Sequence, residues 1–369
     1  MQDQRLEIFL VATPGFADLV ANEARAAGLS VTGTEAGGVT ARGGWPEVWR
    51  ANLALRGPSR VLVRIGAFRA LHLAQLDKRA RRFDWAATLR ADVPVRVEAS
   101  CTASRIYHEG AARQRIETAI AETLGAPIGD TAPVTVKARI ADDLCTLSLD
   151  TSGEPLHRRG HKTAVGKAPI RETLAALVLA RCGYSGGEPV VDPMCGSGTF
   201  VIEAAEIAAG LAPGRSRGFA FENLATFDPD AWAHLRAGAT RPTDLRFHGH
   251  DRDAGAVGMA RANAARAGVD AICAFARQPI SDLAPPAGPP GLVVVNPPYG
   301  GRIGERRLLY ALYGTMGQVL RDRFAGWRVG LVTSDPALAA ATGLPFADPG
   351  AGFSNGGITV RLYRTEALR

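Results

Sequence analysis

The chain has 369 residues, 46% hydrophobic and 21% charged, with 43 Lys and Arg against 36 Asp and Glu and a net charge of +7. That length buries a large core but exceeds one compact domain, so two or three domains are expected. No apolar run approaches the roughly 20 residues that span a bilayer, and no basic stretch leads an apolar one at the start, which argues against membrane insertion and secretion.

The five cysteines, Cys101, Cys145, Cys182, Cys195 and Cys273, are odd in number and never spaced as C-x-x-C. A disulfide framework and a structural zinc site are therefore not expected, and a reduced, cytoplasmic setting is. Along the chain, Glu7 to Ala12 reads as a strand, and Thr13-Pro14-Gly15 turns it into a helical pattern from Phe16 to Ala27 that Gly28 stops. Val31 to Arg42 reads as strand, Trp45 to Leu55 as helix, and Arg60 to Ala67 as a strand alternating Val61, Val63 and Ile65 with Arg60, Leu62 and Arg64. A second small α+β module follows: helices over Arg79 to Arg90 and Ile106 to Leu124, strands over Val93 to Ala99, Val134 to Ile140 and Cys145 to Asp150. Charge is concentrated here. Between Arg50 and Arg115 lie 14 Lys and Arg against 5 Asp and Glu, an electrostatic footprint for a polyanion such as nucleic acid.

At Thr151 to Pro155 the texture changes to a turn, and the basic run His157-Arg158-Arg159-Gly160-His161-Lys162 suits an exposed inter-domain connection. Beyond it a helix (Ile170 to Cys182), a buried strand (Pro189 to Asp192), a glycine-rich turn and a helix (Phe200 to Ala209) precede strand and helix over Leu245 to Ala267. Strands at Leu292 to Val295 and Val329 to Thr333 complete an alternation that predicts a parallel, doubly wound sheet.

Three signals fall where such a sheet binds ligands, at the carboxyl ends of its strands. The first is Asp192-Pro193-Met194-Cys195-Gly196-Ser197-Gly198-Thr199, a strand ending in an acid and a Gly-x-Gly turn that opens a helix. Glycines there admit close approach to the backbone, and the acid suits a cationic ligand better than a pyrophosphate. It lacks the Gly-Lys-Ser/Thr of a phosphate-binding P-loop. The second is Asp251 in His248-Gly249-His250-Asp251-Arg252-Asp253, placed to accept ribose hydroxyls, with Asp253 the N-cap of the next helix. His248 and His250 have no third ligand nearby, so no metal is expected. The third is Asn296-Pro297-Pro298-Tyr299 after the strand Val293 to Val295. An exocyclic amine on a nucleobase is a poor nucleophile because its lone pair is delocalised. The Asn296 side-chain carbonyl and the Pro297 backbone carbonyl can accept its N–H bonds, Tyr299 can stack on the base, and the prolines stiffen the loop.

On these residues the chain resembles the class I S-adenosylmethionine-dependent RNA methyltransferases that carry a ferredoxin-like segment and a THUMP domain, and within them the bacterial enzymes that make N2-methylguanosine in large-subunit ribosomal RNA. Further matching stretches are Pro14-Gly15-Phe16, Gly37-Gly38-Val39, Trp49 to Leu53, Ser59 to Leu62, Phe83-Asp84-Trp85, Leu147 to Asp150, His157 to Gly160, Ala168 to Ala175, Phe219 to Glu222 and Asn355-Gly356-Gly357. The resemblance implies an α/β chain: a ferredoxin-like domain over 1–65, a THUMP RNA-binding domain over 66–156 and a Rossmann-like methyltransferase domain over 157–369. It further implies S-adenosylmethionine as cofactor, its methionine part held by Asp192 to Thr199, its ribose by Asp251, and its methionine end closed over by Arg171 and Glu172. Where the family places an acid near the adenine this sequence has Pro279, leaving Ile280 or Asp282 to make that contact.

The expected reaction is attack of a guanosine N2 on the donor methyl, in 23S rRNA before tRNA. A methyltransferase acting at ring C5 would need a cysteine nucleophile beside Asn296, and there is none. The rivals are a tRNA guanosine-N2 methyltransferase, a DNA N6-adenine methyltransferase, and a non-catalytic RNA-binding assembly protein that retains a donor pocket.

Overall fold

Alternation of apolar and polar residues in the first half and continuous apolar runs in the second produce two different sheets. The protein is described here from a computed structural model, which covers residues 5–163, 170–238, 240–300 and 303–369; Ala168 and Pro169 lie outside the described residues. They pack as two units, Met1–Ala12 with Val20–Leu156 and Arg217–Gly238, and Thr13–Leu19 with His157–Ser216 and Ala239–Arg369.

The first half runs β1 (Leu6–Val11), α1 (Ala17–Ala26), β2 (Ser30–Glu35), β3 (Gly38–Gly43), α2 (Trp45–Ala54), β4 (Arg60–Arg69), α3 (Leu73–Ala80), β5 (Val95–Thr102), α4 (Glu109–Leu124), β6 (Val134–Ala141) and β7 (Leu144–Asp150). Its seven strands form one sheet in the order β2-β3-β1-β4-β7-β6-β5, so the two α+β modules share a sheet through the β4–β7 pairing. Three expectations need correcting. Val31 to Arg42 is a hairpin of two strands, turned at Ala36-Gly37. The alternation in β4 holds Val61 and Val63 fully buried, then slips at a bulge between Arg64 and Gly66. The helix expected over Arg79 to Arg90 lies earlier, as α3. His72 caps it, its Nδ1 accepting from the Gln75 N–H at 3.3 Å, and beyond it only a 3₁₀ turn over Trp85–Ala87 forms, capped by Asp84.

Part of the basic excess is balanced by acids from outside the segment: Arg60 pairs with Asp150, Arg64 with Glu7 and Arg81 with Glu122. Exposed Lys78, Arg79 and Arg82 remain together, lining a surface groove with Phe68 and Phe83.

The second half runs α5 (Glu172–Arg181), β8 (Val190–Asp192), α6 (Thr199–Ala208), α7 (Pro229–Arg236), β9 (Phe247–Asp251), α8 (Ala254–Ala267), β10 (Cys273–Arg277), β11 (Leu292–Val295), α9 (Ile303–Arg323), β12 (Arg328–Thr333), α10 (Pro336–Ala341), β13 (Phe353–Asn355) and β14 (Ile358–Arg364). Of these, α7 belongs to the first unit, where Phe219, Phe221 and Trp232 cluster with Trp49 and Phe227. The second sheet has the order β10-β9-β8-β11-β12-β14-β13. It is parallel from β10 to β12, but β14 runs antiparallel to both neighbours, so the expected all-parallel sheet is mixed at one edge. Order reverses between β8 and β11, and the crevice at their carboxyl ends is where such sheets bind ligands. Among the described residues no helix is long and apolar enough to cross a membrane.

The basic run at 157–162, expected to be exposed, is exposed only in part, with Arg158 and Gly160 outside and Arg159 and His161 inside. Arg159 is 1% exposed and His161 4%, because α6 carries two buried acids among its apolar residues. Arg159 meets Glu203 at 3.4 Å, His161 and Arg215 meet Glu206 at 3.5 and 2.6 Å, and Lys162 meets Glu172 at 3.0 Å. Gly160 makes the turn possible: its φ is +96°, and a Cβ there would sit 2.4 Å from the Ser216 carbonyl. Deleting one partner of a buried pair strands the other charge, so Arg159→Met is expected to lower stability by about 3 kcal/mol in a urea titration. A loss below about 0.5 kcal/mol would place this pair with inert surface ones.

Candidate active site

β8 is fully buried and ends at Asp192 because Pro193 has no N–H to continue the ladder. The chain then folds back on that acid: the Met194 N–H donates to Asp192 Oδ1 at 3.0 Å, and the Cys195 N–H to the His250 carbonyl at 2.8 Å. The next strand supplies the second acid, and Asp251 Oδ2 accepts from the Gly196 N–H at 3.0 Å. Gly198 closes the turn at φ +85°, where an added Cβ would crowd Ala260 and Phe275 at 3.1 to 3.2 Å. Asn263 clamps the turn from α8, donating to the Ser197 carbonyl at 3.0 Å.

These elements enclose a cavity of about 590 Å³, within the range of small-molecule sites. On its wall the structure brings together Asp192, Pro193, Met194, Cys195, Gly196, Ser197, Thr199, Asp251, Ile280, Asn296, Pro297, Pro298 and Tyr299. Gly198 is not on that wall, and Arg171 and Glu172 line a separate, neighbouring cavity. Sequence reasoning missed Ile170, Phe200, Leu312 and Ile358, which give this cavity its apolar side, and Gln278. Phe200 follows Thr199 on α6, Leu312 is on α9, Ile358 opens β14, Ile170 precedes α5 and Gln278 follows β10; the four apolar ones carry no polar group that would signal a ligand from sequence. Asp253 also reaches the wall while capping α8, its Oδ1 accepting from the Gly255 N–H at 2.7 Å. Asp282, the alternative adenine contact, is exposed and off the wall.

The electrostatics follow from burial. The Asp192 carboxyl is pushed up to about 8, chiefly by burial and in part by the charge of Asp251, against the hydrogen bond from Met194. Burial thus favours its protonated form at neutral pH. Burial, with Asp192 and Asp251, also raises the Cys195 thiol, so it stays neutral and packs rather than attacks.

β11 delivers Asn296 from four fully buried residues. The Asn296 Oδ1 is buried and accepts a hydrogen bond from no described residue. A buried carbonyl oxygen left that way costs free energy until a donor reaches it. The Tyr313 hydroxyl, from α9, lies 3.2 Å from both the Pro298 carbonyl and Thr333 Oγ1. A carbonyl only accepts, so Tyr313 donates to Pro298 and receives from Thr333, pinning the loop. Tyr299 is fixed at its hydroxyl, which accepts from Asn355 Nδ2 at 3.0 Å. Tyr313→Phe removes one such tether without touching the cavity. Turnover is expected to fall about two- to tenfold with donor affinity unchanged, and an unaltered turnover number would show that the prolines alone hold the loop.

The description "RMKL-like, methyltransferase domain" matches residues 159–348, and "RlmL ferredoxin-like domain" matches residues 7–62. The ribosomal RNA large subunit methyltransferase K/L of Chromohalobacter salexigens is 35% identical over 98% of this chain and 52% of that protein; the chain spans about half the length of the curated relatives it matches. Among solved structures, a possible methylase from Clostridium difficile 630 has a TM-score of 0.90 at 28% identity, covering 99% of each chain. SMU.472, solved in complex with SAH, has 0.88 at 28% identity over 100% of each. With a matching description over more than half its length and a Rossmann-like sheet with a cavity at its switch point, the chain belongs to the RMKL-like methyltransferase family.

Proposed function

We propose that this chain transfers a methyl group from S-adenosylmethionine to the exocyclic N2 of a guanosine in large-subunit ribosomal RNA, in the cytoplasm. The observation that carries the reading is the orphaned, buried Oδ1 of Asn296, a residue lining the same cavity as Asp192 and Asp251.

The cavity suits that donor. Asp192 would take its ammonium, Asp251 its ribose hydroxyls, and Ile280 with Gln278 its adenine, while Met194 to Ser197 and Thr199 wrap the methionine part. When bound, the donor supplies an activated methyl on a sulfonium that leaves as a neutral thioether. Asn296 Oδ1 and the Pro297 carbonyl accept the two N–H bonds of the amine, drawing its lone pair out of the ring and meeting the positive charge that develops there. Tyr299 stacks on the flipped base and offsets part of the few kcal/mol that unstacking costs. No strong base is needed, because the proton leaves late, to water.

Residues 1–65 and 66–156 would serve as ferredoxin-like and THUMP modules that hold the RNA, with Lys78, Arg79 and Arg82 offering cations beside Phe68 and Phe83, and 157–369 as the catalytic domain, apart from the Arg217–Gly238 segment packed in the first unit. The test incubates the chain with methyl-labelled donor and either protein-free rRNA or total tRNA, then separates the nucleosides. Label in N2-methylguanosine from rRNA supports the reading. Label in N6-methyladenosine, label confined to tRNA, or donor binding without turnover would each replace it with one of its rivals.

A further inference from the structure

A second cavity of about 650 Å³ adjoins the donor cavity and shares three wall residues with it, Ile170, Tyr299 and Ile358. Its other walls carry His157, Arg158, Lys162 and Arg171. The one acid among its lining residues, Glu172, is engaged by Lys162 at 3.0 Å. The wall is therefore cationic. Burial and the charges of Arg171, Arg158, Arg159 and Lys162 push His157 down to about 4, so it is neutral and can donate or accept a hydrogen bond without adding charge. Arg171 sits at the start of α5 with an exposed side chain and no ion pair found among the described residues.

We propose that this second cavity seats a phosphodiester of the acceptor strand beside the methylated nucleotide, with Arg171 as its ionic contact and His157 as a hydrogen-bonding neighbour. The assignment rests on the nucleic-acid reading above and deepens it. It also moves Arg171 from the donor, where resemblance places it, to the acceptor. Three observations favour the acceptor. Arg171 is on no wall of the cavity that Asp192, Gly196 and Ser197 line; the volume exceeds what a single carboxylate requires; and Tyr299, the proposed stacking residue, lines both cavities. A nucleotide whose base reaches Tyr299 from this side would leave its phosphate among the cations, where a planar guanidinium can bind two oxygens at once.

The test compares the full chain with Arg171→Ala and Arg171→Lys, using protein-free large-subunit rRNA in filter-binding titrations across salt and S-adenosylhomocysteine in calorimetry. Arg171→Ala is expected to weaken RNA binding about tenfold and to reduce the slope of log affinity against log salt by about one, the signature of one lost phosphate contact. Arg171→Lys should keep the slope and recover part of the affinity. Affinity for S-adenosylhomocysteine should stay within about twofold for both, which also shows that the variants fold. Unchanged RNA affinity and slope, or a loss confined to S-adenosylhomocysteine, would overturn the assignment. These readouts need no turnover: a parent chain that binds RNA but labels another nucleoside would refute the guanine-N2 reading alone.

Discussion

Asn296→Ala is expected to lower single-turnover methyl transfer by about 10²- to 10³-fold while leaving donor affinity and fold nearly intact. The reason is the state of Asn296 Oδ1 before substrate arrives: buried, and accepting no hydrogen bond from a described residue. On the proposed reading its removal takes away the acceptor of the amine and breaks no hydrogen bond to Oδ1 in the free protein, so stability should hold or rise slightly. The interaction strengthens as the amine becomes cationic, so the loss should fall on the chemical step and much less on RNA affinity. Asn296→Asp keeps an acceptor in place and should retain more turnover than the alanine variant. Calorimetry with S-adenosylhomocysteine, an RNA titration and rapid quench under single-turnover conditions separate these terms. A rate within a few-fold of the parent, or an equal fall in donor affinity, would remove Asn296 from the amine.

What the sequence made legible follows the range of the interactions involved. The strands ending at Asp192 and Val295 read clearly because both are short apolar runs bounded by proline or a polar turn, and Asp253 was recognisable as a cap because its acceptor is two residues away. The three stretches singled out follow adjacent strands, β9, β8 and β11. Burial of Arg159 and His161 was not legible, since their partners Glu203 and Glu206 lie on α6, a helix otherwise apolar, and nothing local links them. The Tyr313 tether was equally hidden: it joins α9 to a loop and to Thr333. The β13–β14 hairpin did have a local signal, Asn355-Gly356-Gly357, but an antiparallel edge breaks the β-α alternation that suggested a wholly parallel sheet. Arg171 shows the limit of motif transfer, because its place in chain order says nothing about which of two adjoining cavities its side chain faces.

Asp192→Asn is expected to do two opposite things, weaken the donor about 10- to 100-fold, the worth of a charge-assisted bond, and make the protein more stable. The carboxyl rises from an ordinary 3.8 to about 8 in the fold. Between those values the native state holds a proton that the unfolded chain has released, so this group's contribution to stability is fully present below pH 3.8 and is lost as pH climbs towards 8. A neutral asparagine of the same shape removes that penalty. The variant should gain about 1–2 kcal/mol near pH 8, and its melting temperature should depend less on pH from about 4 to 8 than the parent's does. Donor binding carries the same proton in the other direction. A ligand ammonium beside Asp192 favours the carboxylate, so at pH 7 the parent should release close to one proton per donor bound, visible as a binding enthalpy that varies with the ionisation heat of the buffer. Affinity should accordingly climb with pH until the donor's own amine begins to lose its proton, near 8 on the usual scale. Asp192→Asn should abolish the buffer dependence along with most of the affinity. If the variant binds S-adenosylhomocysteine as tightly as the parent and with the same proton release, the ammonium lies elsewhere and the buried acid is a cost that the donor does not relieve.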